Sequence, residues 1–281
     1  MFVIIGFVVV IGSVIGGFSI HGDLATLFQP TEFIIIGGAA IGGVIIGNTP
    51  TNLKAVIAGL LKSLKGANVS KKAYLDLLQM LYELFQYAKR EGLIALEPHV
   101  EAPESSSIIS RYPSFLSNKI AVDFLCDTLK IVLSGGVPAH DLDDLMELDL
   151  EAIHEEEATA PGILQTLADS LPGLGIVAAV LGIITTMSAI NEGAEAVGAK
   201  VAGALVGTFL GVLLAYGFTS PLASIVGQNV AKEHKYVLCI KAALLSFAKG
   251  APASVAIEYG RRAIDPEHRP TFKETEEAMK R

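Results

Sequence analysis

SLPGLGIVAAVLGIITTMSAIN, residues 170–191, decides the fold. These 22 residues carry no Asp, Glu, Lys or Arg. Crossing the hydrocarbon core takes about 20 apolar residues at ~1.5 Å of rise each, so the stretch reads as a membrane-spanning helix. Three further blocks are equally free of these four residue types: 1–22, 33–52 with its flanks, and 201–231. The first block lacks a basic leading segment and a small-residue cleavage site, so it reads as a retained span and not a signal peptide. The composition agrees, with 51% hydrophobic and only 18% charged residues and a mean hydropathy of +0.52. Soluble domains are less apolar and more charged than this.

The basic residues set the topology. Of 21 Lys and Arg, ten lie in 54–130 and ten in 232–281, leaving only Lys200 elsewhere. Basic residues accumulate on the cytoplasmic side, whereas acids hardly affect orientation. Loops 21–32 and 192–200 therefore face outward. Both termini and the long middle segment are expected in the cytoplasm of a multi-pass protein of the bacterial inner membrane. The net charge of −8 identifies no partner. Nine acids cluster in 141–157, either as a solvated helix face or linker before the third span or as a docking surface for a basic partner.

The middle segment reads as helical. Ser70 is a candidate N-cap, and Leu77, Leu78, Leu81, Leu84, Phe85 and Ala88 form an apolar stripe. Lys89 and Arg90 occupy the last turn before Gly92, where positive charge suits the helix dipole. A second helix is expected over 117–133, before Gly135 and Gly136. No β-rich run intervenes, so the fold class is all-α: four transmembrane helices and a helical cytoplasmic domain. The expected layout is spans at 1–20, 33–52, 170–191 and 201–222, with cytoplasmic regions at 53–168 and 223–281. Cys126 and Cys239 are too far apart in sequence for a disulfide framework or metal cluster and read as buried thiols. The six histidines are scattered singly and read as surface residues.

Ala199, Gly203, Gly207, Gly211 and Ala215 repeat at four-residue spacing. Small residues let helices approach closely in lipid, either within one chain or between copies around an axis. Pro172 and Pro221 both fall near the cytoplasmic ends of their spans, as hinges or as helix boundaries. Spans three and four contain no ionisable group, only the hydroxyls of Thr185, Thr186, Ser188, Thr208, Tyr216, Thr219 and Ser220. Proton relays in membranes use ionisable groups, so the titrating carboxylate of any ion path along these spans must come from another chain. Nucleophile motifs, phosphate-binding glycine loops and metal-ligand spacings are all missing, which points away from an enzyme.

Residues 169–180, residues 206–218 with Ser220, Pro221, Leu222 and Ala223, the pairs Leu96-Glu97 and Tyr112-Pro113, and residues 256–261 together resemble the MotA family of flagellar stator proteins. The resemblance covers essentially the whole chain. TolQ and ExbB proteins are more distant relatives with typically three spans; a TolQ/ExbB-like energy transducer and a non-conducting membrane scaffold are the alternatives. The resemblance implies a homo-oligomeric ring around a dimer of MotB, which supplies the ion-binding aspartate and a peptidoglycan anchor. It implies that ion flow is converted into torque on the rotor protein FliG. Pro172 and Pro221 would couple ion flow to conformational change, and Lys89 or Arg90 would contact the rotor together with Glu97. Ala179 stands where sodium-type relatives usually carry Thr, which favours protons, and Thr208 remains as a polar group on the ion pathway. No cofactor, metal or nucleic acid is implied.

Overall fold

The computed structural model describes residues 2–65, 69–188 and 190–280. Its helices are α1 (Phe2–Ser19), α2 (Leu24–Leu27), α3 (Pro30–Gly47), α4 (Pro50–Lys65), α5 (Lys71–Glu91), α6 (Glu97–Glu101), α7 (Pro113–Leu116), α8 (Lys119–Ser134), α9 (Ala139–Met187), α10 (Ala194–Val212), α11 (Ser220–Ala248), α12 (Ala253–Ala263) and α13 (Phe272–Met279). There is no strand among the described residues, so the chain is all-α. Four helical stretches are long and apolar enough to cross a membrane: Phe2–Ser19, Leu24–Gly47, and windows within Ala139–Met187 and Ala194–Ala248. The last two run far past the apolar blocks. The acidic cluster at 141–157 is the first part of α9, a helix face and not a linker. The chain forms two compact units, Met1–Gly66 with Glu157–Asn229, and Ala67–Glu156 with Val230–Arg281.

The first unit is held by backbone contact. A Cβ added at Gly211 would lie 2.6 Å from the Leu171 carbonyl oxygen and 2.8 Å from the Gly175 Cα. A Cβ at Gly175 would lie 2.8 Å from the Gly207 carbonyl oxygen, and one at Gly182 would lie 2.7 Å from the Ala204 Cβ. Lipid gives apolar helices no reason to associate beyond packing, and such approach maximises packing. Gly203, Gly207, Gly211 and Ala215 are therefore buried within a single chain, while Ala199 is exposed. The glycines of α1 and α3 behave differently, because among the described residues nothing beyond their own helix backbone comes within 4 Å of the Cβ position of any of them. Nothing in α1 is buried. Beside this contact, α4 packs Gly59 against Val226, and Asn229 Nδ2 donates to Ser63 Oγ at 3.0 Å.

The second unit packs like a soluble domain. The stripe Leu77, Leu78, Leu81, Leu84 and Phe85 is fully buried in its core. Ser70 accepts a hydrogen bond from the Ala73 amide, as an N-cap should. Asn118 caps α8, which starts at Lys119 and ends at Ser134 before left-handed Gly135. Lys241 pairs with Asp143 and Glu147 from the acidic stretch. Glu258 is gripped by Arg261 and by Arg262, which holds its carboxyl down at about 2. Cys126 and Cys239 are buried free thiols. His99 departs from the surface expectation: it is buried, with Nδ1 2.7 Å from Ser106 Oγ and its ring edge-on to Tyr87.

The glycine contact makes a contrast that can be measured. Gly211→Ala drives a methyl into rigid backbone and is expected to destabilise the chain by about 1–3 kcal/mol. At Gly203 the new methyl would meet only the end of the Gln29 side chain, at 3.4 Å. Gly203→Ala should leave the thermal midpoint in detergent unchanged. Equal midpoints for both variants would contradict the packing described here.

A carboxylate at the contact of the third and fourth spans

The contact between α9 and α10 holds the two residues expected on an ion pathway. Ala179 is buried, and its amide nitrogen lies 3.2 Å from where a Gly207 Cβ would be. Thr208 is half-buried, with its Cα 3.3 Å from the Cβ position of Gly175. Ala179 and Thr208 thus both lie along the α9–α10 contact. Pro172 follows Leu171, whose carbonyl touches Gly211, so one proline adjoins the same contact.

Neither proline ends a helix. Pro172 lies inside α9. Pro221 follows a seven-residue π-helical segment, Leu213–Thr219, that joins α10 to α11. A proline at 221 supplies no N–H to the carbonyl of residue 217 and crowds it, so a widened turn just before it is the physical response. α1 packs on that turn, with Phe7 and Phe218 ring centroids 5.1 Å apart and Val10 3.2 Å from the Cβ position of Gly217.

Glu32 lies outside spans three and four, the segments whose lack of ionisable groups pointed to another chain. It sits in the first turn of α3, behind Pro30, and is 6% exposed. Its Oε2 lies 2.7 Å from the Cβ position of Gly207, beside Ala178 and Ala179. That oxygen has no hydrogen-bond partner among the described residues. The missing side chain of Gly207 makes the space it fills. A signal existed in the sequence: Glu32 is the lone acid between Asp23 and Asp76.

The rotor-contact candidates belong to the second unit. Lys89 and Arg90 are exposed in the last turn of α5. Glu97 is exposed as the first residue of α6, one short 3-10 turn (Leu93–Leu96) further on. Arg90 is paired with Glu91 at 2.7 Å, whereas Lys89 and Glu97 form no ion pair among the described residues. Pro98 fits the first turn of α6, where its missing N–H costs nothing. Among the described residues no group of three His, Cys, Asp or Glu is placed to hold a metal.

Fold and site define a multi-span, all-α membrane protein with a buried carboxylate at a close helix–helix contact. The sequence matches two family profiles, Motility protein A N-terminal over residues 4–92 and the MotA/TolQ/ExbB proton channel family over residues 116–237. It is 39% identical to Motility protein A of Salmonella typhimurium over 282 aligned residues, covering 100% of this chain and 95% of that one. Identity and coverage are the same for Motility protein A of Escherichia coli. Chemotaxis protein LafT of Vibrio parahaemolyticus is 37% identical, over 97% of this chain and 96% of its own. The fold matches C. jejuni MotAB at a TM-score of 0.76 and 21% identity, covering 96% of this chain and 98% of that one. The Bacillus subtilis flagellar MotAB stator complex matches at 0.72 and 23%, with coverages of 91% and 92%. The chain belongs to the Motility protein A family.

Glu32→Gln keeps the shape of the side chain and removes its charge. It is expected to leave expression and membrane insertion intact while slowing proton uptake into vesicles that carry the complete stator. Uptake equal to that of the parent chain would remove Glu32 from the pathway.

Proposed function

We propose that the chain is a torque-generating subunit of a flagellar stator, working as a homo-oligomeric ring around MotB in the bacterial inner membrane. The observation that carries this reading is the α9–α10 contact, along which Ala179 and Thr208 lie, with Glu32 against Gly207 and Pro172 following Leu171. The ion-binding aspartate and the peptidoglycan anchor belong to MotB, and Glu32 adds a carboxylate of this chain's own. Protons are the coupling ion, supported by Ala179, whose methyl offers no oxygen ligand to sodium. Both termini and regions 53–168 and 223–281 lie in the cytoplasm, supported by their Lys and Arg content. Lys89 and Glu97, with Arg90 beside them, meet the rotor protein FliG. No step is a covalent reaction. Four spans separate this chain from TolQ- and ExbB-like transducers, which typically have three.

Coupling runs through the two prolines. Each interrupts the backbone hydrogen bonding of a continuous helical path, which lowers the cost of a change in that path. Ion passage can bias such an element only if it has two shapes. Pro172→Ala and Pro221→Ala are expected to assemble normally and to abolish swimming. Wild-type motility in both would dismiss coupling, and loss of the protein from the membrane would assign the prolines a purely structural role.

Rotor contact and ion choice are tested in the same cells. Exposed ion pairs are each worth roughly 0–1 kcal/mol, so single neutralisations at Lys89, Arg90 or Glu97 should be tolerated. Reversing all three should abolish torque without loss of the stator complex. Swimming of the parent strain should follow the proton gradient and ignore external sodium. Motility that stops when sodium is removed at constant proton-motive force would reject proton coupling.

A further inference from the structure

Ser106 gathers three partners on one hydroxyl. Its Oγ accepts from the Ile109 amide at 3.0 Å and from the Ile108 amide at 3.3 Å, and lies 2.7 Å from His99 Nδ1. A serine hydroxyl has one hydrogen and two lone pairs. The two amides take the lone pairs, so the hydrogen goes to His99. Nδ1 is therefore the acceptor, and the neutral ring carries its own hydrogen on Nε2. A second proton would have to enter at Nδ1, where the Ser106 hydrogen already points. Ser106 could turn to meet it only by giving up an amide. The ring is 7% exposed, and this burial holds its proton affinity below the ordinary value of 6.5.

The surrounding charges do not reach the ring. On α6 itself, on the turn that follows and on the facing side of α8, Glu97, Glu101, Glu104, Asp127 and Lys130 are all exposed, and Asp127 pairs with Lys130. On α5, the source of Tyr87, residues Lys89, Arg90 and Glu91 are exposed and Glu83 is paired with Arg111. The Cys126 thiol of α8 is pushed up to about 11 by burial and stays neutral.

We infer that His99 is a positioning residue, which through Ser106 fixes α6 and so sets where Glu97 stands on the surface of the second unit. α6 has five residues, Glu97–Glu101, too few for a helix to hold itself. Its buried residues are His99 and Val100, and the His99–Ser106 bond ties it to the turn at Ile108 and Ile109. Only the neutral ring can make that bond. When α6 opens, the ring meets water and takes a proton at its ordinary affinity, whereas the closed form resists. The hold is therefore complete above the ring's ordinary 6.5 and weakens as pH falls below it. The hold on α6 stands by itself; its use in torque rests on the reading of Glu97 as a rotor contact.

The two are tested separately. Hydrogen exchange read by mass spectrometry, on the full-length chain with its stator partner, follows the amides of residues 97–109. After correction for the intrinsic pH dependence of amide exchange, these should exchange about three- to tenfold faster at pH 5.5 than at pH 7.5. In His99→Asn the side-chain oxygen replaces Nδ1 as acceptor but takes no proton, so protection should persist at both pH values. Ser106→Ala should exchange fast at both. Parent rates that ignore pH, or His99→Asn rates that follow it, would overturn the inference. Loss of protection in His99→Asn at pH 7.5 would show that an acceptor at this point is not what holds α6, and would overturn it too. Swimming is then compared between parent and His99→Asn cells at equal internal pH and equal proton-motive force. The parent should fall behind as the cytoplasm is acidified. A constant ratio alongside the exchange response would keep the positioning role of His99 and reject Glu97 as the rotor contact.

Discussion

Everything in the first unit depends on two helix backbones being allowed to touch. In a bilayer the lipid tails are as apolar as the side chains, so helices are held by close packing and by whatever polar groups they satisfy. Leu171, Gly175, Gly207 and Gly211 meet with no space for a Cβ. The same glycine that permits contact on one side, Gly207, opens the space into which the Glu32 carboxylate projects. Packing and site therefore cannot be separated: a residue that thickened α10 at 207 would part the helices and displace the carboxylate buried there.

The prolines matter because of this tightness. A close-packed helix pair shifts between discrete arrangements and does not deform continuously. Pro172 lies next to the point of closest approach, and Pro221 follows a π-helical turn on which α1 rests. Both positions lack one backbone hydrogen bond, which lowers the cost of a local change in helix path.

Much of this was legible in the sequence, for identifiable reasons. The spans were readable because hydrocarbon demands an uninterrupted apolar run, and the chain has four. Ser70, Gly92 and Gly135 marked helix ends because capping chemistry is local. The length of α9 was not readable, since its acidic first part looks like a linker and only tertiary contacts such as Lys241 with Asp143 reveal it as a packed helix. The glycine ladder of α10 was visible, but its partner was not: a repeat specifies a face and not what covers it. Glu32 was missed because it sits at the edge of an apolar block, where a carboxylate ordinarily reaches water. Its burial comes from α10, which lies more than 150 residues away in sequence. His99 was misplaced for the same reason, because its partner Ser106 and neighbour Tyr87 come together only in the fold.

The central claim is that the α9–α10 contact forms the wall of the ion path. The most direct test is an electron cryomicroscopy map of the complex purified from the native membrane with its peptidoglycan-anchored partner. The account expects a closed ring of copies with α9 and α10 lining the axis, the partner's membrane helix inside, and Glu32 behind the Ala179–Thr208 surface. A map with α1 and α3 at the axis, or with α10 facing lipid, would contradict it.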